Sequence, residues 1–390
     1  MTTGGYDVVV IGAGIHGAGA AQAAAAAGYR TLVLEQTAVA SATSRHSSKL
    51  IHGGLRYLES MQLRLVRASL RERGLLLRLA PDLVRLVPFH IPVYSQTSRR
   101  PWKLRAGLAL YAILGNFAPA CRFGTLAPSR WSDLDGLTTD GLQAVFRYFD
   151  AQTDDAALTR AVMRSAQGLG AELACPARFI SAERHAAGYE VHYTTAERDI
   201  TCNAHAVVNA AGPWAGQVSR HFMPALPVQD VQLVQGTHIV LAGRLTQGIY
   251  YLEAPWDRRA VFAMPWYDRT LVGTTETVFT GDPAGVAPLP AEITYLQKTL
   301  AHYFPTRTLT VTESFAGLRV LPTGDGAAFH RPRETRLVAD NEHLPRAITI
   351  YGGKLTGYRD TAEKALDRLR AHLPGRRRMG DTTELPLTPE

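Results

Sequence analysis

Apolar and polar positions follow three rhythms along this chain, and each predicts a different element. Tyr6 to Ile11 (YDVVVI) is a short β-branched run that reads as a buried strand, and Thr31 to Leu34 (TLVL) reads as a second. Between them lie Gly12 to Gly17 and an Ala-rich stretch, Ala18 to Ala27, that reads as a helix. From 61 to 80 the period becomes that of an amphipathic helix: Leu63, Val66, Leu70 and Leu77 form one stripe, with Arg64, Arg67, Arg71 and Arg78 beside it. Asp154 to Leu169 is again helical, while Tyr189 to Tyr193 and Ala206 to Asn209 read as strands. From Val228 to Thr275 the rhythm changes to strand-like runs (VQLVQGTHIVL, IYYLE, RAVFAMPW, TLVGTTE) broken by Gly, Pro and Asp, with no long helix between them. A helix is expected near Glu292 to His302, a strand at Ala347 to Tyr351, a turn at Gly352-Gly353 and a helix from Thr356 to His372.

Strand, glycine turn, helix and strand in that order predict an α/β, Rossmann-like dinucleotide-binding domain. The strand-only middle predicts a second, substrate domain inserted into it and built on an antiparallel sheet. The division falls at residues 1–85, 145–220 and 310–374 for the first domain and 86–144 and 221–309 for the second, with 375–390 as a solvated tail.

Composition narrows the class. At 390 residues, 46% hydrophobic and 19% charged, the chain suits a soluble enzyme of about two domains. Its three cysteines, Cys121, Cys175 and Cys202, form no CxxC pair, so buried thiols in a reducing compartment are expected and no metal site is. The N-terminal apolar run has no basic leader before it, which predicts a cytoplasmic protein. The net charge of +8 is local: Arg56 to Arg105 holds ten Arg and one Lys against three acids, the whole of the excess. Within that window Arg99-Arg100-Pro101-Trp102-Lys103-Leu104-Arg105 precedes the apolar run Ala106 to Leu114, too short to span a bilayer. Two readings stand: a surface that dips into an anionic membrane interface, where a quinone could be reached, or a helix buried in the second domain. No nucleic-acid motif accompanies the charge.

The first thirty-five residues carry the sharpest chemistry. Gly12 permits a tight turn, Gly14 offers no Cβ to block a pyrophosphate, and Gly17 allows close packing. Ile15 and His16 open the helix, whose N-terminal amides favour an anion. Glu35 stands 21 positions after Gly14, where a carboxylate can accept hydrogen bonds from ribose hydroxyls. The motif lies at the extreme N-terminus, as flavoproteins often have it, and no second GxGxxG follows for a nicotinamide dinucleotide, which favours FAD. A hydroxyl-rich loop comes next, with Thr43, Ser44, Ser47, Ser48, Lys49, His52, Gly53 and Gly54 suited to wrapping the cofactor.

The segment Ser47 to Glu59 (SSKLIHGGLRYLE), with the N-terminal motif, resembles the FAD-dependent glycerol-3-phosphate dehydrogenases, a branch of the D-amino-acid-oxidase-like flavoproteins. The similarity continues at Val207 to Trp214, Gly236 to Val240, Gly273 to Glu276, Gly317 to Arg319 and Gly352 to Thr356. It implies that Ala211, Gly212, Trp214 and Gly317 line FAD. Gly353, Lys354, Leu355 and Thr356 would then complete the site, with amides near the flavin's pyrimidine oxygens. It also implies positive residues around a phosphorylated substrate at Arg56, Arg319 and Lys354, and polar ones at Tyr57 and Thr356. Arg259 and Arg331 match in an ambiguous register, because Arg258 and Arg333 lie close by. The resembled bacterial dehydrogenases usually continue into a helical C-terminal domain, before which this sequence stops, so the resemblance implies neither oligomer contacts nor an electron acceptor. Arg45 and His46 stand where the family usually has small residues.

The expected chemistry is oxidation of sn-glycerol 3-phosphate to dihydroxyacetone phosphate by hydride transfer to flavin N5. Arg56, Arg319 and Lys354 would meet charge, and His52 would serve either as base or as a flavin contact. Two other readings are open: an offshoot that oxidises another small alcohol or amine, with oxygen as acceptor, and a non-catalytic flavin-binding protein. The retained cations argue against the last.

Overall fold

The computed structural model describes residues 2–323 and 334–389. Two sheets organise them. In the first, Thr2–Ile11 lies between Thr31–Leu34 and Asp199–Asn209, all parallel. Asp199–Asn209 is a shared strand: residues 199–204 pair antiparallel with Gly188–Thr194, and residues 207–209 pair parallel with Ala347–Tyr351. The sheet has nine strands among the described residues. Helices Ile15–Ala26, Asp155–Gly168 and Tyr358–Leu369 share one core with it. The first helix needs no polar face, because it packs against both of the other two, and its alanines and glycines permit close approach: a Cβ on Gly19 would lie 2.7 Å from the Tyr358 ring.

The second sheet has ten strands among the described residues. Val84–Tyr94 pairs with Leu142–Thr153, and Val231–Leu241 with Val311–Pro322, both antiparallel and nearly end to end. One pairing departs from the antiparallel expectation: Ile249–Glu253 meets Val84–Tyr94 in parallel at Ile249 and Tyr250. Strand alternation feeds two cores. Phe89, Phe146 and Tyr251 pack with Val66 and Leu70 of helix Leu63–Leu79 and with Leu108 and Tyr111 of helix Pro101–Leu114. Tyr250, Leu252 and Val272 pack with Leu296 and Leu300 of helix Pro290–Tyr303.

Residues 145–153 and 311–322, assigned from sequence to the first domain, lie in the second sheet, because their long pairings with Val84–Tyr94 and Val231–Leu241 hold them there. The C-terminal segment is no solvated tail. Arg376 donates to the Asp7 carboxylate at 2.9 and 3.0 Å, Met379 N–H to Ala26 O and Leu387 N–H to Leu79 O, each at 2.7 Å, and Leu387 is 3% exposed. Its arginines and acids disguised a strap anchored by backbone. The last predicted helix is shorter than read: Tyr358–Leu369 is α-helical, with 3-10 turns at Leu355–Gly357 and Arg370–His372.

Candidate active site

The glycine turn is built by backbone proximity. A Cβ on Gly17 would lie 1.8 Å from Gly12 O, and Gly12, at φ +96°, has Ala210 O 2.9 Å from the same position. Only glycine fits either place. Gly14 is different: the nearest obstacle to a Cβ there is Ser44 Oγ at 3.0 Å, which accepts the Ile15 N–H at 2.9 Å. The helix has no acid in its first turn and no side-chain cap on Gly14, so its positive end is left for an anion. Glu35, at the tip of the second strand, accepts Ala13 N–H at 2.8 Å through Oε2, and Thr37 N–H and Oγ1 through Oε1 at 2.9 and 3.1 Å. Three of a carboxylate's roughly four lone-pair sites are used, and the remaining one is on Oε2. Beside the turn, Ala210 N–H donates to Ile11 O, and the space over Gly212, at φ +56°, is open. Half-buried His16 lies between this turn and the Gly352-Gly353 turn, its Nε2 only 2.3 Å from where a Gly353 Cβ would be. Its Nδ1 has no partner among the described residues, and burial pushes the imidazole down to about 4. Open glycines, free helix amides, an acceptor on Glu35 and an orphaned ring nitrogen fit a dinucleotide.

The loop from Ser41 to Gly54 runs from this cradle to the second sheet, tied at both ends. Thr43 Oγ1 donates to Leu318 O at 3.1 Å, Ser47 N–H to Asp155 at 2.9 Å, and Ser48 Oγ meets His238 Nε2 at 2.9 Å. Lys49 turns its ammonium inward to Asp155, at 2.5 Å, and to Arg45 O. Burial raises the Asp155 carboxyl against the pull of Lys49. Gly53 N–H donates to Tyr111 OH at 2.9 Å, Tyr111 donates to Asp150 at 2.7 Å, and Asp150 pairs with buried Arg73. This chain of contacts fixes the backbone beside His52, whose own N–H reaches Thr356 Oγ1 at 3.3 Å.

Two sets of cations flank that loop. Lys354 Nζ lies 3.8 Å from the centre of the Tyr57 ring, and Arg56 is 5.3 Å from the same ring. Arg319 donates to Thr274 Oγ1 at 2.9 Å and Thr275 O at 3.2 Å, and its guanidinium lies 3.5 Å from Glu276. Arg259 approaches the other oxygen of Glu276 at 3.6 Å. Val320 O lies 2.9 Å from a Cβ position on Gly352, so the Arg319 and Lys354 segments are neighbours. A Cβ on Gly317 would strike His46 O at 2.6 Å, which places that glycine against the loop. Arg331 lies outside the described residues.

His238, Thr274, Glu276 and Glu292 were not singled out from sequence, although three of them sit inside motif blocks. His238 is buried, with its ring 5.0 Å from that of Phe315 and nearly parallel to it, and His46 stacks on Phe315 at 5.4 Å. Burial, then the charges of Arg319 and Lys49, hold His238 well below its usual range, and His46 is pushed down to about 4 by burial and by Arg45. A histidine inside the apolar strand Val231–Leu241 was the available signal.

A sequence model described as FAD dependent oxidoreductase matches residues 7–359. The chain is 37% identical to the glycerol-3-phosphate dehydrogenase of Pseudomonas aeruginosa, spanning 93% of this chain and 71% of that protein. It is 34% identical to the D-erythritol 1-phosphate dehydrogenase of Brucella abortus, over 94% of this chain and 74% of that protein. The glycerol-3-phosphate dehydrogenase of Bacillus halodurans, solved complexed with FAD, superposes with a TM-score of 0.74 at 26% identity, covering 98% of this chain and 68% of that one.

Proposed function

The chain belongs to the FAD dependent oxidoreductase family, within it to the glycerol-3-phosphate dehydrogenases, and from that premise we propose that it oxidises sn-glycerol 3-phosphate to dihydroxyacetone phosphate. The observation that carries this is the approach of the Arg319 and Lys354 segments to each other beside the dinucleotide cradle, Arg319 on the Thr274 hydroxyl and Lys354 over the Tyr57 ring. Gly12, Gly14, the positive end of helix Ile15–Ala26 and Glu35 would hold the pyrophosphate and ribose, Ser44, Ala211 and Gly212 would flank them, and the Gly353 to Thr356 turn would face the flavin. FAD, when bound, supplies the acceptor for the two electrons and hydrogen leaving the alcohol carbon. Arg319 and Lys354, with Arg56 and Arg259, meet the phosphate dianion, a charged pairing stronger than a neutral hydrogen bond. His52 takes the hydroxyl proton. His238 is the poorer base, since burial, then the charges of Arg319 and Lys49, disfavour its cationic form, and it is better suited to orienting the hydroxyl.

A second reading changes only the substrate, to a longer polyol phosphate, and rests on the similarity to the D-erythritol 1-phosphate dehydrogenase. Anaerobic mixing of the holoenzyme with a panel of alcohols and amines decides. Glycerol 3-phosphate should bleach the flavin, and glycerol and amino acids should not. Bleaching by an amine, or equally fast bleaching by glycerol, overturns the proposal, and faster bleaching by erythritol phosphate selects the second reading. We also propose that the basic face beside helix Pro101–Leu114 rests on an anionic membrane and passes electrons to a quinone. No helix among the described residues is long and apolar enough to cross a membrane.

A further inference from the structure

Glu292 is the third residue of helix Pro290–Tyr303, 6% exposed, and it gathers more donors than a helix cap needs. Its Oε2 accepts Gln235 Nε2 and Thr237 Oγ1, both at 2.6 Å, and Leu289 N–H at 3.2 Å; its Oε1 accepts Thr275 Oγ1 and Thr277 Oγ1, both at 2.7 Å. Thr275 Oγ1 in turn accepts Thr237 N–H at 2.9 Å, and Thr275 N–H donates to Thr237 O at 3.3 Å. Residues 274–276 have no strand partner of their own, so these contacts fix them to Val231–Leu241. Thr275 and Thr277 both turn to the carboxylate. In an extended segment that sends Thr274 and Glu276 to the opposite side, where Arg319 meets both and Arg259 meets Glu276.

We infer that Glu292 is a positioning residue for substrate: through the threonines on either side of Glu276 it sets the segment that aims Arg319 and Arg259. The inference rests on the proposed binding of a phosphorylated substrate by those arginines. A carboxylate suits the role because it only accepts, so it orients all three threonine hydroxyls toward one point.

Three variants of the holoenzyme test it. Glu292→Gln keeps the shape but replaces one acceptor oxygen with a donor, and Thr277→Val removes a single hydroxyl. Asp135→Asn is the control, because Asp135 gathers Thr246, Gln247 and Tyr250 in the same manner but touches neither arginine. If the arginines bind ground state and transition state alike, Glu292→Gln should raise the KM for glycerol 3-phosphate about tenfold with kcat changed less than about twofold. Thr277→Val should move it the same way by less, and Asp135→Asn should lower the melting midpoint alone. A second readout is independent of substrate: phenylglyoxal modification of Arg319, followed by peptide mass, should quicken severalfold in Glu292→Gln and not in Asp135→Asn. Lower melting with KM and Arg319 reactivity both unmoved overturns the inference. If the wild-type flavin is not bleached by glycerol 3-phosphate, the functional proposal fails instead, and Arg319 reactivity still decides the role of Glu292.

Discussion

Arg319 and Lys354 come from neighbouring segments, one a long strand and the other a turn, and neither makes a contact that holds the glycine turn at Gly12 to Gly17. Arg319→Ala and Lys354→Ala should therefore leave FAD occupancy nearly intact and depress kcat/KM for glycerol 3-phosphate. Removing one charged hydrogen bond from a desolvated anion costs about 1.5 to 3 kcal/mol, roughly ten- to a hundredfold. Steady-state kinetics with flavin absorbance as the occupancy control is the check, and near-normal turnover in both variants sinks the assignment. These two residues were singled out because the glycine-bounded blocks that hold them, Gly317 to Arg319 and Gly352 to Thr356, resemble those of the family. Glu292 and His238 were not. Glu292 gathers donors from Gln235 to Thr277, His238 meets the Ser48 hydroxyl and the Phe315 ring, and no local pattern announces such convergence. Lys49 shows the reverse: a lysine in the strongest motif reads as a cofactor contact, yet its ammonium is engaged by Asp155.

Helix Pro101–Leu114 shows what periodicity leaves open at the scale of an element. Leu104, Leu108, Tyr111 and Ala112 pack into the second sheet's core, while Trp102 and Ile113, eleven residues or about three turns apart, share the outer side at 68% and 52% exposed. Phe117, just beyond the helix, is 71% exposed. Arg64, Arg67, Arg71, Arg100, Lys103 and Arg105 are exposed in the same stretch of chain. The inner face is core, as the buried-helix reading expects, and the outer face is the one the membrane proposal would use. Vesicles of anionic lipid should cosediment the protein at low salt and release it at high salt, while neutral vesicles should not hold it, since each basic residue near such a surface contributes about 1 kcal/mol. Trp102→Ser with Ile113→Ser should weaken retention without loss of FAD. Absence of binding at low salt removes the membrane proposal. Elements with a single strong rhythm, such as Leu63–Leu79 and Val231–Leu241, were legible from the sequence, whereas the strap near Leu387 was not, because backbone hydrogen bonds to Ala26 and Leu79 hold it.

Across the whole molecule, folding places several histidines where charge is unwelcome. Burial pushes His16, His46 and His90 down to about 4, and His238 falls well below its ordinary range. The unfolded chain binds protons from about pH 6.5 downward and the native protein does not. Stability from these groups is therefore complete above about 6.5 and drains away as pH falls toward 4, by up to about 1.4 kcal/mol per pH unit for a buried histidine such as His90. Urea unfolding at pH 7.5, 6 and 5 should show this fall, and His90→Gln should flatten its slope; a midpoint independent of pH across the window would refute the account. The two-sheet plan was readable from the rhythm of the chain, but the domain divisions were not, because Leu142–Thr153 and Val311–Pro322 are placed by partners far away in sequence. The shared strand Asp199–Asn209 has a consequence for birth on the ribosome. At about 5 to 20 residues per second, Thr2–Ile11 emerges roughly 20 to 70 seconds before Ala347–Tyr351, its companion across that strand. Until then the apolar end of the shared strand, Val207 to Asn209, waits beside an incomplete nucleotide cradle, with an edge open to pairing with another chain.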